Sequence, residues 1–315
     1  MRAVAPGTSL IDVRFRGRPE YLGCYVIEAG NGVALVDPGP TSTLAALEDG
    51  LRLGGLSVDN VTSILLTHIH LDHAGATGTL LARNPDIRVY VHRHGARHMI
   101  DPQRLLASAE RLYGEVMDEM WGEFLGVPEA NVEALDGGQT IELGGREMLV
   151  EHTPGHAKHH VGYFDTSTGV AYVGDTLGVR IDNRPHVLPA TPPPDVDLEG
   201  WEESTAKIRA WKPTLLCLTH FGPARPVTQH IDEHERRLDE WAAIVRADLG
   251  SGMDDDEMHV ARFCRHARRE IESALLGSDA EVYLNEGLVG DSWRGLARYF
   301  RKLAVDSRKP GAKDS

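Results

Sequence analysis

Seven side chains of metal-ligating type stand out in this chain: His68, His70, Asp72, His73, His156, Asp175 and His220. The first four share one run, Thr67-His68-Ile69-His70-Leu71-Asp72-His73. Imidazoles and carboxylates bind borderline and hard divalent ions. Five imidazoles and two carboxylates can hold two such ions a few ångströms apart. Ions held that way generate hydroxide near neutral pH and polarise a carbonyl. The expected chemistry is metal-dependent hydrolysis.

Spacing says how the ligands divide. On an extended backbone the side chains of His68 and His70 point the same way, so both reach one ion. Asp72 and His73 follow where strand passes to helix, and crowding at the first ion makes a second ion natural. The small residues Ala74-Gly75-Ala76 let the next helix start close by, and its free amides favour anionic ligands. His156 closes Thr153-Pro154-Gly155-His156, Asp175 sits in Gly174-Asp175-Thr176, and His220 sits in Thr219-His220-Phe221-Gly222. Each follows a strand-like run, and loops at strand ends are where α/β enzymes place their chemistry. A carboxylate such as Asp175 can bridge two ions. Without metal, a buried cluster of this kind would be costly.

The elements that must position these residues read as follows. Strands are expected at 21–28, 32–37, 61–66 and 87–92, with helices over 41–51 and from Gly75 through Leu81. This β-β-α-β-α-β order favours α/β architecture. Residues 102–124 interrupt it with one or two amphipathic helices, whose apolar residues include Leu105, Leu112, Tyr113, Val116, Met120 and Trp121. Plain packing, a substrate lid and a dimer contact are the three readings of that segment. Strands resume at 139–143, 147–152, 162–164, 169–174 and 213–218. A proline-rich loop over 180–194 is expected near the site, and a helix over 198–211. Further helices are expected over 231–249, 257–276 and 293–303. His230, Glu233, Arg237 and Trp241 share one helical face, which favours packing or a salt-linked surface over catalysis. The expected organisation is a catalytic domain over 1–227 with a helical insertion near 102–128. A C-terminal helical extension over 228–308 packs on it, and 309–315 form a disordered tail.

Composition narrows the function classes. The 315 residues suffice for one large α/β domain with a smaller helical appendage. No run of about 18 apolar residues exists, so no membrane span is expected. The start of the chain lacks the apolar stretch of a signal peptide, and a cytoplasmic protein is the default. Cys24, Cys217 and Cys264 are widely spaced and offer no disulfide framework; Cys24 and Cys217 read as small buried hydrophobes. A net charge of −14 disfavours nucleic acid and anionic membrane as partners. The expected partner is a small-molecule substrate, with a homodimer also compatible.

These motifs, with the Asp37-Pro38-Gly39 turn, resemble the metallo-β-lactamase superfamily of metallohydrolases over about residues 15–225. The resemblance implies an α/β fold, a four-layer αββα sandwich of two facing sheets and outer helices, here with additional C-terminal helices. It implies one ion on His68, His70 and His156 and another on Asp72, His73 and His220, with Asp175 between them. Both ions would be divalent, zinc first, with iron or manganese also compatible. Asp72 and Asp175 would serve catalysis, Asp72 by orienting the nucleophile. Asp37 would orient a ligand from outside, and His160 would hydrogen-bond behind the site.

Within the family, the expected reaction is attack of metal-bound hydroxide on the carbonyl of a small ester, lactone or thioester. The β-lactamases of the best-known class carry a cysteine near the Asp175 position, so the aspartate points away from that activity. Thioesterase and lactonase relatives often have glycine where His159 stands, so the pocket floor should differ. Lactonase relatives often carry a tyrosine shortly after the bridging aspartate; here Arg180 is the candidate contact for a substrate carboxylate or oxyanion. Two alternatives stay open: a mononuclear iron sulfur dioxygenase acting on a persulfide, and a non-catalytic protein with a relict metal site. No Gly-x-Ser-x-Gly elbow supports a serine hydrolase.

Overall fold

A computed structural model of the chain describes residues 1–181, 184, 186–253, 255–275, 278–285 and 288–306. The tail expected over 309–315 lies outside the described residues.

Among the described residues, thirteen strands form two sheets. The first runs β1 (Arg2–Ala5), β2 (Thr8–Asp12), β3 (Gly23–Ala29), β4 (Gly32–Val36), β5 (Val61–Leu65), β6 (Arg88–His92), β7 (Val132–Leu135) in spatial order. Its first four strands are antiparallel, and β4 through β7 are parallel. The second sheet contains β8 (Gln139–Leu143), β9 (Arg146–His152), β10 (Val161–Asp165), β11 (Val170–Gly174), β12 (Leu215–Leu218) and β13 (Gly222–Ala224). Neighbours there are antiparallel except β11 and β12. Strands β9, β11 and β12 therefore run the same way, and their C-terminal ends share one edge.

Strand alternation builds the layers. On β3, Tyr25 and Ile27 face the core between the sheets, while Cys24 and Val26 pack under the outer helices. On β12, Leu215 and Cys217 point inward, and Leu216 and Leu218 meet a third core containing Ile208 and Ile231. Two inner sheets thus carry a helical layer on each outer face, the expected αββα sandwich. Cys24 and Cys217 are buried and free, as expected of small hydrophobes.

The helices described are α1 (Leu44–Leu53), α2 (Leu71–Ala74), α3 (Thr77–Arg83), α4 (Arg93–Ile100), α5 (Gln103–Tyr113), α6 (Met117–Trp121), α7 (Leu198–Ala210), α8 (Val227–Gly250), α9 (Asp256–Ala274), α10 (Ser278–Asn285) and α11 (Leu288–Asp306). The helix expected from Gly75 through Leu81 is α3, and a separate short helix, α2, precedes it because the histidine run itself turns helical at Leu71. The apolar segment 102–124 forms α5 and α6, but its stripe is split. Leu105, Leu106, Met117 and Met120 pack against the core, while Leu112 and Val116 are exposed. Helices α8, α9 and α11 share the core of the first sheet's outer face through Trp241, Phe263 and Trp293. Among the described residues, no helix is long and apolar enough to cross a membrane.

Candidate metal centre

Four strand ends deliver the seven residues. His68 follows β5 after Leu66 and Thr67, and His70 sits at the start of α2 with extended backbone (φ −61°, ψ 153°). His156 follows β9, Asp175 follows β11, and His220 follows β12. The turn at Gly174 needs glycine. Its φ is +47°, and a Cβ there would lie 2.4 Å from Thr67 Oγ1 and 2.6 Å from His160 Nε2.

The ring nitrogens converge. His68 Nε2 and His156 Nε2 each lie 3.0 Å from His70 Nδ1. Those three residues form one group whose ligand atoms all lie within 4.8 Å of one another, Asp72, His73 and His220 form a second, and His68, His73 and Asp175 form a third that overlaps both. In the second, His220 Nε2 is 3.1 Å and His73 Nε2 3.8 Å from Asp72 Oδ2. Asp175 faces both. Its Oδ1 is 3.4 Å from His73 Nε2, and its Oδ2 is 3.6 Å from His156 Nε2 and 3.8 Å from His220 Nε2.

An outer ring of hydrogen bonds fixes these groups. Asp37 Oδ2 accepts from the hydroxyls of Thr67 and Thr219 at 2.7 Å each and from His73 Nδ1 at 2.8 Å. Its Oδ1 accepts from the Thr67 amide at 2.8 Å. With Nδ1 donating to Asp37, Nε2 is the His73 atom left facing the gap. Asp37 itself has φ +49°, a left-handed conformation that costs on the order of 1–3 kcal/mol and persists only where surroundings impose it. His156 Nδ1 donates to the Ala190 carbonyl at 2.8 Å, which likewise leaves Nε2 as the ligand atom. His160 is not among the converging nitrogens. Its Nδ1 lies 2.8 Å from Thr153 Oγ1 and 3.0 Å from Thr176 Oγ1, and its Nε2 accepts from the Asp175 amide at 3.2 Å. It therefore anchors the backbone that aims Asp175.

The electrostatics suit a cation. Burial, reinforced by neighbouring histidines, pushes His68 well below its usual range and His70 down to about 3. Burial also lowers His156. Burial alone would lower His73, but the carboxylates of Asp175, Asp72 and Asp37 outweigh it and raise that ring well above 6.5. The same balance holds the acids down. Burial pushes Asp72 and Asp175 up, yet His73 and its neighbours keep both below the ordinary carboxylate range. His73 Nε2 and Asp175 Oδ1 are buried and lack a hydrogen-bond partner. Unpaired buried polar atoms are expensive. Lowered His68, His70 and His156 rings and ionised carboxylates around one gap form a donor set that fits divalent ions, with His73, the raised ring, releasing a proton as an ion binds.

Some neighbours were passed over in the sequence. The threonines of the Thr-His pairs carry the outer hydrogen bonds, and their repeated placement before His68 and His220 was the available signal. Tyr21 meets His220 edge-on at 5.6 Å and Trp201 meets His156 edge-on at 6.4 Å, contacts that local spacing does not encode. His159, at the position where relatives often have glycine, is buried. Its ring stacks 6.1 Å from His68 and lies edge-on 5.5 Å from His70. Arg180 is buried too. Its Nε donates to the Arg184 carbonyl at 2.6 Å and its Nη1 to the Pro223 carbonyl at 3.3 Å.

An αββα sandwich whose strand ends gather histidines and aspartates into overlapping metal-capable groups defines a class of metallohydrolase-type proteins. Comparison with known proteins agrees: the metallo-beta-lactamase superfamily profile matches residues 23–220, and the chain belongs to that superfamily. The metallo-beta-lactamase fold-containing protein ST1585 of Sulfurisphaera tokodaii is 25% identical over 236 residues, covering 74% of this chain and 84% of that protein. The probable metallo-hydrolase YqjP of Bacillus subtilis is 24% identical over 311 residues, covering 89% and 92%. Hydroxyacylglutathione hydrolase of Aeromonas hydrophila is 31% identical over 153 residues, but the match spans only 45% of its length. Among solved structures, the metallo-beta-lactamase family protein TTHA1429 of Thermus thermophilus superposes with a TM-score of 0.68 at 23% identity, covering 96% of this chain and 95% of that one. That likeness shows the shared fold. The relatives' names point to a metallo-hydrolase.

Proposed function

We propose that this chain is a dinuclear metal-dependent hydrolase acting on the carbonyl of a small ester, lactone or thioester. The observation that carries the reading is the placement of Asp175, with one oxygen toward His73 and the other toward both His156 and His220. A carboxylate so placed can serve two ions at once, one held by His68, His70 and His156 and the other by Asp72, His73 and His220. Two such ions, zinc first, would supply Lewis acidity and a hydroxide nucleophile near neutral pH.

The chain's own residues do the rest. Asp37 and the Ala190 carbonyl hold His73 and His156 in the tautomer that presents Nε2. Asp72, ionised and partly exposed at the edge of the group, is placed to orient the attacking nucleophile by accepting its hydrogen bond. His160 keeps Asp175 aimed between the two groups through its backbone amide. A relative named for an acyl-glutathione substrate supports the thioester branch of the reading.

The test is hydrolysis by the metal-loaded chain of a panel of aliphatic esters, γ-lactones and acyl thioesters. Turnover of at least one class that chelation abolishes and metal restores is expected. Metal-replete protein inert toward all three classes, but consuming oxygen with a persulfide, would replace the hydrolase reading with the dioxygenase one.

A further inference from the structure

The loop after β11 touches both metal-capable groups. Near its start, the Arg180 amide donates to the His220 carbonyl at 2.5 Å. Near its end, the Ala190 carbonyl receives His156 Nδ1 at 2.8 Å. Between them, the only regular pairing among the described residues is the isolated bridge of Val179 with Leu188. Within it the Arg184 amide also donates to the Ile181 carbonyl at 3.1 Å and Arg180 Nε to the Arg184 carbonyl at 2.6 Å, and its position against the rest of the fold is set from outside.

That position comes from the C-terminal helices. The Tyr283 hydroxyl accepts from the Ile181 amide at 2.8 Å and donates to the His186 carbonyl at 2.7 Å. Arg237 Nη1 donates to the Val187 carbonyl at 2.6 Å, and Glu270 holds that guanidinium through Nε at 2.5 Å. Thr191 Oγ1 donates to the Ser292 carbonyl at 3.2 Å. Tyr283 is 1% exposed and Arg237 6%, so water does not compete for these bonds. Four contacts from α8, α10 and α11 thus bracket the stretch that ends at Ala190.

We propose that the C-terminal helices clamp the His156 side of the metal centre, with Tyr283 as the positioning residue. The inference rests on the metal assignment above. A histidine that binds through Nε2 keeps its proton on Nδ1, and the outer acceptor of that proton tunes metal affinity by about 10–100-fold. Tyr283 sits one step further out, holding the loop that holds the acceptor. Replacing it with phenylalanine keeps the ring in place but strands the Ile181 amide and the His186 carbonyl. The loop then relaxes, the Ala190 carbonyl retreats, and the His156 ring loses its fixed tautomer and angle.

The experiment is competition between full-length protein and a zinc-chelating dye, which resolves stepwise dissociation constants. His156→Asn identifies the step that belongs to His68, His70 and His156. Tyr283→Phe is expected to weaken that step by about three- to tenfold and to move the other by less than about twofold. Trp293→Phe is the control, because it deletes a buried bond to Asp248 Oδ2 (2.9 Å) in the same helices without a hydrogen bond to the loop. It should leave both steps in place. Unchanged constants in a folded Tyr283→Phe variant would overturn the clamp, and so would an equal shift from Trp293→Phe. Should Tyr283→Phe fail to fold, Thr191→Val takes its place, with about a twofold weakening of the same step expected and no shift contradicting the proposal. A wild-type chain that binds no ion pair would overturn the metal assignment, and the clamp with it.

Discussion

Two groups of interior histidines in this molecule have surroundings that differ in kind. At the strand ends, His68, His70, His73, His156 and His220 bring ring nitrogens to within a few ångströms of Asp72 and Asp175. Against the C-terminal helices, His186, His230 and His234 are equally buried, but their nitrogens diverge. His230 Nε2 donates to the Leu177 carbonyl at 2.9 Å, His186 Nδ1 lies 3.3 Å from Arg237 Nη2, and His234 packs 5.5 Å from the Trp201 ring with both nitrogens unpartnered. Carboxylates surround the first set and raise His73. Burial comes first in the second set, and Arg237 adds to it, so all three rings are pushed down. Histidine content does not make a metal site. Convergence of lone pairs with anionic neighbours does, and a guanidinium beside the rings works against it.

The comparison can be broken at several points. The largest effect is expected at Asp175→Asn, which removes the charge shared by the two groups. Metal retention after dialysis should fall to one ion or fewer per chain, and hydrolysis by at least about a hundredfold. Wild-type stoichiometry in that variant would contradict the bridging role. Next comes Asp37→Asn, which keeps the shape but hands the two threonine hydroxyls and His73 Nδ1 a weaker acceptor. Metal affinity should drop about 10–100-fold, read by chelator competition, with the fold retained by circular dichroism.

Acid should sharpen the contrast for the metal-free chain. His186 and His234 are lowered to about 3 and His230 to about 4 from the ordinary 6.5, with burial as the first cause. Between those values and 6.5, the unfolded chain binds more protons than the folded one. Stability from these residues is therefore complete above pH 6.5 and declines as pH falls through that window. Urea unfolding of the metal-free protein across the window should show this slope, and His186→Asn with His234→Phe should flatten it. The smallest effect belongs to His234→Phe at neutral pH. Removing two unsatisfied buried nitrogens should leave stability unchanged or raise it by up to about 1 kcal/mol, with metal content untouched. A loss of bound metal in that variant would place His234 in a site the geometry does not show.

How far these regions could be read from sequence follows from what is local. The His68–His73 run carries its meaning in spacing alone, β3, β4 and β11 show apolar runs closed by Gly or Asp, and β8 shows polar–apolar alternation. The edge strands were harder. β1 is half exposed, β7 buries only Leu135, and β13 contains Gly222 and Pro223, so none reads as an apolar run. β2 is well buried, but its five residues are too few to separate from a turn without a partner. The proline-rich loop was legible as a loop near the site. Its Ala190 carbonyl was not, because a backbone acceptor has no sequence signature. Arg180 read as a candidate substrate contact, and the hydrogen bonds of its Nε and Nη1 to the Arg184 and Pro223 carbonyls have no sequence signature. Tyr283 meets the loop across roughly a hundred residues of chain, a distance that no spacing argument spans.

Metal content per chain, measured by plasma mass spectrometry on protein purified without added metal, tests the central claim most directly. About two divalent ions per wild-type chain, mainly zinc, and one or none in Asp175→Asn are the predicted result. A single iron per chain in both proteins, or no metal in either, would contradict it.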